Sequence, residues 1–318
     1  MYQNIFISWK SSKPIIHLWD DQKGHAMLPF KKYAYQKDRS GNMRSLYGDK
    51  LKKVTFWKKE DAPKLFEADI HPEMRTLVDM YHQSDEPSTN HRVLFFDIET
   101  EILEGFPDWQ NPINRVLSFT IYDQQDDIYY VGVLDTDGRL TIESKDNIQI
   151  EVFTTEDELL KYFIRLIKQT NPTILSGWNI DNFDIPYLYS RMCVVLGTEM
   201  ANQVSPIGMV IFNKGQNVFK IAGISSLDYY RLYRKFSVGE RPSYKLDDIG
   251  MLEVATKKIE YPGTLKDLYE KDLDLFIEYN INDVVILKLL DEKLNYIDVG
   301  KSLAHKGHVP YESIYSIS

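Results

Sequence analysis

Two carboxylates follow an apolar run that begins at Val93. Residues 93–96 are typical of a buried strand, and Asp97 and Glu99 come next, two positions apart. Because side chains at i and i+2 on a strand face the same side, we expect the two carboxylates to project together. Two acids at the end of a central strand are costly unless a cation neutralises them. The pattern indicates a cation site, although a solvated sheet edge would show the same pair.

Two further acidic motifs lie downstream. Residues 177–187 take a predicted strand into a helix, with Asp184 close to Pro186, a residue that a first helical turn accepts. In the last long predicted helix, the i,i+4 spacing of Tyr279 and Asp283 places them on one face. Taken singly, Asp184 could be a helix cap and Tyr279 a core aromatic. Their order on strand, strand–helix turn and helix favours one shared site.

Strands and helices alternate around these motifs. Apolar runs at residues 116–122 and 128–134 predict strands. Residues 155–158 have the pattern of a capping box, and the apolar stripe after them predicts a helix that ends at Asn171. The alternation predicts an α/β domain with a mixed sheet. We also expect helices at residues 184–196 and 272–296, and a β-hairpin at residues 209–224.

The three acidic motifs resemble those of the 3′→5′ exonuclease domain of family B DNA polymerases. That family has D-x-E, N-x3-F/Y-D and Y-x3-D in this order. The present sequence has D-I-E at residues 97–99, N-I-D-N-F-D at 179–184 and Y-N-I-N-D at 279–283, without departures. Other stretches are similar to the polymerases of T-even-like bacteriophages. The resemblance covers residues 91–318 well and residues 1–90 weakly.

The resemblance implies a ribonuclease-H-like exonuclease domain and a two-metal mechanism. Two divalent ions, Mg²⁺ or Mn²⁺, would balance the charge of the four acids, since both ions suit hard oxygen ligands. One ion would activate a water for attack on the 3′-terminal phosphodiester of single-stranded DNA, and the pair would stabilise the attacking and leaving oxygens. Tyr279 would hold the water or the scissile phosphate. The implied metal ligands are Asp97, Glu99, Asp184 and Asp283.

The resemblance also implies supporting residues. Similar polymerases carry a catalytic lysine before the last aspartate of the set, and Lys258, or its neighbour Lys257, is the candidate. Phe106 would either stack on the frayed 3′ end or pack in the core. The polar tip of the expected hairpin is free to reach between separated strands. The residues expected to contact DNA are Phe106, Asn179, Phe183 and Lys214.

Charge is unevenly distributed along the 318 residues, whose net charge is −9. Residues 1–90 carry 15 basic and 12 acidic side chains, whereas residues 91–318 carry 23 and 35. Basic residues and aromatic rings interleave at residues 31–64. This stretch is either a nucleic-acid surface or a solvated β-rich face.

The polar segment at residues 83–90 is the best candidate for a linker. We therefore expect three parts along the chain. Residues 1–90 would form a smaller, β-rich α+β domain with a capacity for nucleic acid. Residues 91–296 would form the exonuclease domain, and residues 297–318 would return to the N-terminal domain.

The sequence thus predicts the N-terminal and exonuclease portion of a phage-type family B DNA polymerase, either a cut piece or the natural N-terminal half of a split enzyme. It would remove mismatched nucleotides from single-stranded 3′ ends and from primer–template DNA. A polymerase-domain fragment would be its partner if the enzyme is split. No polymerase metal-binding motif occurs in these residues, so we expect no nucleotide addition from them alone.

Two alternatives stay open, a regulator from another class and a second enzyme of the same superfamily. The N-terminal part is linked with RNA binding in similar phage polymerases, so the chain could be a nucleic-acid-binding regulator. An exonuclease of the same superfamily that acts on RNA would carry the same acids. The apolar runs are too short to cross a bilayer, and a single cysteine allows no internal disulfide. We therefore expect a cytoplasmic protein, in the host cell if phage-encoded, without a membrane partner.

Overall fold

The computed structural model describes residues 1–10, 13–103, 105, 107–215 and 217–316. It divides the chain into two compact units. Unit 1 comprises Met1–Ser88 and Ala304–Pro310, and unit 2 comprises Thr89–Leu303 and the described residues after Pro310. Of residues 297–318, which we expected to return to the N-terminal domain, only Ala304–Pro310 therefore belong to unit 1. The functional division of the chain into domains stays a prediction.

Hydrogen bonds inside each unit explain this division. In unit 1, the Tyr2 hydroxyl donates to the carbonyls of Ala304 at 2.9 Å and of Val309 at 2.7 Å. In unit 2, the Tyr311 hydroxyl lies 3.0 Å from Nε2 of His91. The tail of the chain therefore belongs to unit 1 up to Pro310 and to unit 2 from Tyr311 on.

Unit 1 is built from two small antiparallel sheets and a helix. One sheet has the order β1-β2-β3 and the other the order β4-β6-β5. This composition agrees with the β-rich α+β character that the sequence predicts. Its elements are β1 (Tyr2–Lys10), β2 (Lys13–Asp20), β3 (Gly24–Pro29), β4 (Ala34–Lys37), β5 (Met43–Arg44), β6 (Lys50–Val54) and α1 (Pro72–Tyr81).

Unit 2 has a six-stranded mixed sheet in the order β10-β9-β8-β7-β11-β14. The strand β8 is antiparallel to both of its neighbours, while β10 and β9, β7 and β11, and β11 and β14 pair in parallel. The predicted α/β class with a mixed sheet is confirmed. The strands are β7 (Val93–Thr100), β8 (Val116–Asp123), β9 (Ile128–Leu134), β10 (Ile148–Phe153), β11 (Ile174–Ser176) and β14 (Ser225–Ser226).

The other elements of unit 2 are helices and the expected hairpin, formed by β12 (Val210–Asn213) and β13 (Val218–Ile221). None of the helices in the described parts of the chain is both long and apolar enough to span a membrane. The helices are α2 (Glu156–Thr170), α3 (Asp184–Leu196), α4 (Thr198–Ala201), α5 (Tyr229–Phe236), α6 (Leu246–Val254), α7 (Leu265–Lys271), α8 (Leu273–Leu294) and α9 (Tyr296–Gly307), whose residues from Ala304 on belong to unit 1.

Helices cover both faces of the sheet. Phe163 of α2 packs edge-on against Phe119, with 5.2 Å between ring centroids, and also contacts Phe96. The opposite face, which carries Asp97 and Thr120, packs against α8. The strand β7 is therefore buried on both faces, which is why its residues are apolar until the two acids near its end.

The apolar stripe of α2 is buried as predicted, and the helix stops at Thr170, with Asn171 as its C-cap residue at a left-handed φ of 45°. The predicted capping box is wrong. Thr155 is the N-cap residue, but its side chain caps no backbone N–H of the helix. Its hydroxyl instead donates to the Glu158 carboxylate at 3.1 Å, which is a contact between two side chains and not a cap of the backbone.

Candidate active site

Three carboxylates converge where β7 meets α8. One ligand oxygen from each of Asp97, Glu99 and Asp283 lies within 4.8 Å of the others. The strand supplies two of them because its side chains alternate, and the helix brings the third across the same face of the sheet. The structure therefore brings together acids that are far apart in the sequence, which is the arrangement that the motifs predict for them.

Asp184 borders this group, but it is not one of the three acids whose ligand oxygens lie within 4.8 Å of one another. It is the first residue of α3, and its Oδ1 accepts a hydrogen bond of 3.2 Å from the backbone N–H of Ile98. Ile98 stands between Asp97 and Glu99, so Asp184 is attached to the backbone of the strand that carries them. Three of the four predicted acids form one cluster, and the fourth borders it.

The loop that leads to Asp184 passes close to β7 because Gly177 has no side chain. A Cβ at Gly177 would lie 2.5 Å from the carbonyl oxygen of Phe96, which no larger residue could accommodate without displacing the loop. Asp228 then holds the loop by accepting hydrogen bonds from the backbone N–H groups of Asn179 at 3.0 Å and Asp181 at 3.2 Å.

The pKa values of the clustered acids are raised, so without a cation their ionised forms are disfavoured. Burial raises the pKa of Glu99 to about 8, with a further contribution from the charge of Asp283. Burial likewise raises the pKa of Asp184 to about 7. The pKa of Asp97 lies well above its ordinary value because of burial and the neighbouring charges of Asp184 and Glu99. The cluster would therefore gain from a bound cation at neutral pH.

The donor set fits a hard divalent cation. The ligand atoms are carboxylate oxygens, which Mg²⁺ and Mn²⁺ prefer. Oδ1 of Asp283 is buried and has no hydrogen-bond partner among the described residues. Such an oxygen is costly unless something binds it, and a metal ion would do so.

Lys258 lies at the edge of this cluster. Its ammonium forms an ion pair with Asp283 and donates to the Tyr279 hydroxyl at 3.0 Å. Burial lowers the pKa of Lys258, but the charge of Asp283, with Tyr279 and Asp97, outweighs burial and leaves this pKa above its ordinary value. Of the two lysines that the sequence offers, Lys258 is the one in contact with the acids.

The backbone around Lys258 is held at two points. Asp247 accepts a hydrogen bond of 2.8 Å from the Lys258 N–H, and Asn282 donates to the Lys257 carbonyl at 3.0 Å. The side chain of Lys257 is exposed. These contacts fix which of the two side chains reaches the cluster.

Tyr279 is partly buried on α8, one turn before Asp283. Its ring packs edge-on against Tyr261, with 5.3 Å between centroids. Burial and the charge of Asp283 raise the pKa of Tyr279, so the phenol keeps its proton at neutral pH. Because an ammonium has only donors, the Tyr279 oxygen accepts from Lys258 and its own proton is available to another acceptor.

One residue of the site was missed in the sequence. The amide nitrogen of Asn280 donates to Oδ2 of Asp97 at 2.8 Å. Ser118 and Thr120, which are paired across the sheet with Glu99 and Asp97, donate to the amide oxygen of Asn280. Two hydroxyl residues at i and i+2, opposite two acids at i and i+2, are a signal that could have indicated this contact.

A family model for the exonuclease domain of DNA polymerase family B matches residues 53–249. The chain belongs to this family. The matched region includes Asp97, Glu99 and Asp184 but ends before Tyr279 and Asp283. The last two residues are joined to the set by the packing of α8 on β7.

Relatives of this exonuclease domain include two phage enzymes and a viral one. The chain is 32% identical over 255 residues to the DNA-directed DNA polymerase of Escherichia phage RB69, and 31% identical over 252 residues to that of Enterobacteria phage T4. These matches cover 72% and 71% of the chain but 28% of each polymerase. The DNA polymerase catalytic subunit of Saimiriine herpesvirus 2 is 23% identical over 272 residues, 76% of the chain and 26% of that subunit. The chain thus spans less than a third of the length of these relatives.

The described residues that we expect to contact DNA lie outside the three-acid cluster. Asn179 has a left-handed φ of 68°, and its Oδ1 accepts a hydrogen bond of 2.7 Å from Asn182. Phe183 stacks on Tyr187 with 5.7 Å between centroids. Lys214 is exposed in the turn between β12 and β13. Phe106 lies outside the described residues.

Proposed function

We propose that this chain is the 3′→5′ exonuclease, or proofreading, part of a phage-type family B DNA polymerase. It hydrolyses the 3′-terminal phosphodiester of single-stranded DNA, including the frayed end of primer–template DNA. The observation that carries the proposal is the convergence of Asp97, Glu99 and Asp283 within 4.8 Å. Membership of the exonuclease-domain family supports it. The proposal includes a ribonuclease-H-like class for the fold of unit 2.

The proposed ligands of two divalent ions, Mg²⁺ or Mn²⁺, are the four acids of the motifs. When bound, the ions supply an activated water and offset the charge of the attacking and leaving oxygens. Asp97 and Glu99 project from a central strand, Asp184 from the first turn of α3 and Asp283 from the middle of α8, and both helices pack on the sheet. Separate rigid elements keep the carboxylates at fixed distances, which the reaction requires.

Tyr279 and Lys258 act together beside the acids in this proposal. The Lys258 ammonium occupies the acceptor side of the Tyr279 hydroxyl, at 3.0 Å, and so turns the phenolic proton away from itself. That proton is then available to hold the attacking water or a non-bridging oxygen of the scissile phosphate. Burial raises the pKa of Asp283, and the charge of Lys258 opposes this shift while the ion pair holds the carboxylate in position.

The remaining proposed contacts bind the strand. Asn179 and Phe183 belong to the loop that delivers Asp184, so they are suited to contact the terminal nucleotides. Phe106 is proposed to stack on the 3′-terminal base, and Lys214 to contact DNA at the tip of the hairpin. A polymerase-domain fragment is the expected partner if the enzyme is split.

Digestion of end-labelled oligonucleotides tests the proposal. The purified chain is incubated with Mg²⁺ and a single-stranded DNA labelled at its 5′ end, and in parallel with an RNA of the same sequence. We expect a ladder of DNA products that shorten one nucleotide at a time, and little RNA digestion. A phosphorothioate at the last 3′ linkage should slow the reaction. Digestion from the 5′ end, internal cleavage or a preference for RNA would contradict the proposal.

A second function, binding of RNA or other nucleic acid by unit 1, is favoured by a specific observation. A groove of about 510 Å³ is lined by Trp9, Tyr33 and Trp57, together with Lys32 and the ion pair of Arg75 and Glu67. Nζ of Lys32 lies 4.4 Å from the centroid of the Trp57 ring, and Nζ of Lys53 lies 3.6 Å from that of Tyr33. Rings next to cations are suited to stacked bases and phosphates.

Fluorescence anisotropy with a labelled single-stranded RNA tests this second function. Substitution Trp57→Ala should weaken binding without altering exonuclease activity on a short DNA. If the variant and the unsubstituted chain bind RNA equally well, the groove is not the RNA-binding site.

A further inference from the structure

Asn280 links the acid cluster to the neighbouring strand. It follows Tyr279 on α8 and is fully buried, with 0% of its surface exposed. Its Nδ2 donates to Oδ2 of Asp97 at 2.8 Å. Its Oδ1 accepts hydrogen bonds from Ser118 at 3.1 Å and from Thr120 at 2.8 Å. Both ends of the amide are therefore engaged in the interior.

This network determines the orientation of the amide. If the amide were turned over, Oδ1 would face the Asp97 carboxylate, and two acceptors would lie at hydrogen-bond distance. The hydroxyls of Ser118 and Thr120 are also fully buried, and both donate to the same oxygen. Asn280 is thus held with its N–H group towards Asp97 and its carbonyl towards β8.

The contact differs in kind from the one that Lys258 makes with Asp283. Lys258 contributes a charge, and Asn280 contributes a neutral donor that limits the rotation of the Asp97 carboxylate while leaving its negative charge in place for a cation. Asp97 stands on the strand and Asn280 on the helix, 183 residues apart. The hydrogen bond therefore also connects the two elements that supply the cluster.

We propose that Asn280, supported by Ser118 and Thr120, is a positioning residue that presents the Asp97 carboxylate to the divalent metal. This inference rests on the proposed function, since it concerns the same acids. Partners that orient metal ligands in this way typically change metal affinity or activity by about 10- to 100-fold when they are removed.

The substitution Asn280→Leu removes the amide and keeps the number and branching of the side-chain heavy atoms. Mn²⁺ binding is measured from the electron paramagnetic resonance signal of the free ion during titration, next to thermal unfolding and the DNA digestion rate. We expect Mn²⁺ to bind about tenfold more weakly, and we expect the DNA digestion rate at a low Mn²⁺ concentration to fall by a similar factor. Excess Mn²⁺ should restore part of the rate.

A matched control separates positioning from stability. Asn202 is an asparagine of unit 2 whose Oδ1 accepts a hydrogen bond of 2.7 Å from the Tyr189 hydroxyl, away from the acids. Asn202→Leu should lower the unfolding temperature and leave Mn²⁺ affinity unchanged. If Asn280→Leu behaves in the same way, Asn280 is only structural and the proposal is overturned.

A second variant guards against misfolding, because Asn280→Leu leaves two buried hydroxyls without their acceptor. In Ser118→Ala/Thr120→Val/Asn280→Leu all three partners are apolar, which is much less costly than one orphaned group. We expect this variant to fold and still to bind Mn²⁺ weakly, and unchanged affinity would overturn the proposal. If the unsubstituted chain itself binds no Mn²⁺ and digests no DNA, the proposed function fails, and with it this inference.

Discussion

Lys258 contacts both Tyr279 and Asp283: its ammonium donates to the phenolic oxygen at 3.0 Å and forms an ion pair with the carboxylate. Tyr279 and Asp283 are one turn apart on α8, and Lys258 comes from the segment before α7, so the contact is tertiary. A single cation therefore sets the position of two groups with different proposed roles. One is a hydrogen-bond donor to the substrate or water, and the other is a metal ligand.

The first prediction concerns the hydroxyl of Tyr279. Tyr279→Phe keeps the packing against Tyr261 and removes one hydrogen bond, so we expect the single-turnover digestion rate to fall by about fivefold, in line with a lost positioning contact of about 1 kcal/mol. Asp283→Ala should cost much more, because it deletes a ligand and leaves Lys258 unpaired. Equal losses in the two variants would contradict the role assigned to Tyr279.

The second prediction concerns the two acids of β7. Asp97→Ala/Glu99→Ala removes two proposed metal ligands, so we expect turnover of single-stranded DNA to fall by about a hundredfold or more while the fold is kept. Without metal, this variant should unfold at a higher temperature than the unsubstituted chain at neutral pH, because it relieves repulsion between carboxylates that are partly or fully buried. Digestion at the original rate would exclude these acids from the site.

The third prediction is a pH dependence of stability in EDTA. The pKa of Glu99 in the folded chain is about 8 and that of Asp184 about 7, both above their ordinary values. For acids shifted in this direction, the folded state binds protons more tightly than the unfolded state. The stabilisation is fully present below the unfolded pKa values and is lost as the pH rises through the folded ones.

We therefore expect the unfolding temperature of the metal-free chain to fall from about pH 6 to about pH 9. Added Mg²⁺ should raise it most at the alkaline end, where the cluster is charged. Differential scanning calorimetry measures both effects. The variant Asp97→Ala/Glu99→Ala is the control, and it should show a flatter profile and a smaller response to Mg²⁺. A flat profile for the unsubstituted chain would count against a buried, repelling cluster.

The fourth prediction concerns Lys214 at the tip of the hairpin. Its side chain is exposed, so Lys214→Ala should leave the unfolding temperature unchanged. We expect little effect on digestion of single-stranded DNA and a slower digestion of a mismatched primer end within a duplex, measured with a polymerase fragment present. The exposed Lys168→Ala, outside the hairpin, is a suitable control. Equal effects on both substrates would reduce the hairpin to a structural element.

The sequence alone determined the local geometry of the site. The spacing of Asp97 and Glu99 predicted a shared face because strand side chains alternate, and the spacing of Tyr279 and Asp283 predicted a shared face because a helix repeats every 3.6 residues. The helix at Asp184–Leu196 was predicted with the bounds it has in the structure. These features depend on neighbours in the chain, which the sequence states directly.

Only the tertiary structure decided how the elements meet. It brought Lys258 rather than Lys257 to the acids, because Asp247 and Asn282 hold the backbone between them. It joined Asn280 to Asp97 across 183 residues. Each of these outcomes depends on which donors and acceptors packing leaves within reach. Hydrogen bonds act over about 3 Å, so periodicity along the chain cannot select among partners that only the packed sheet and helices bring together.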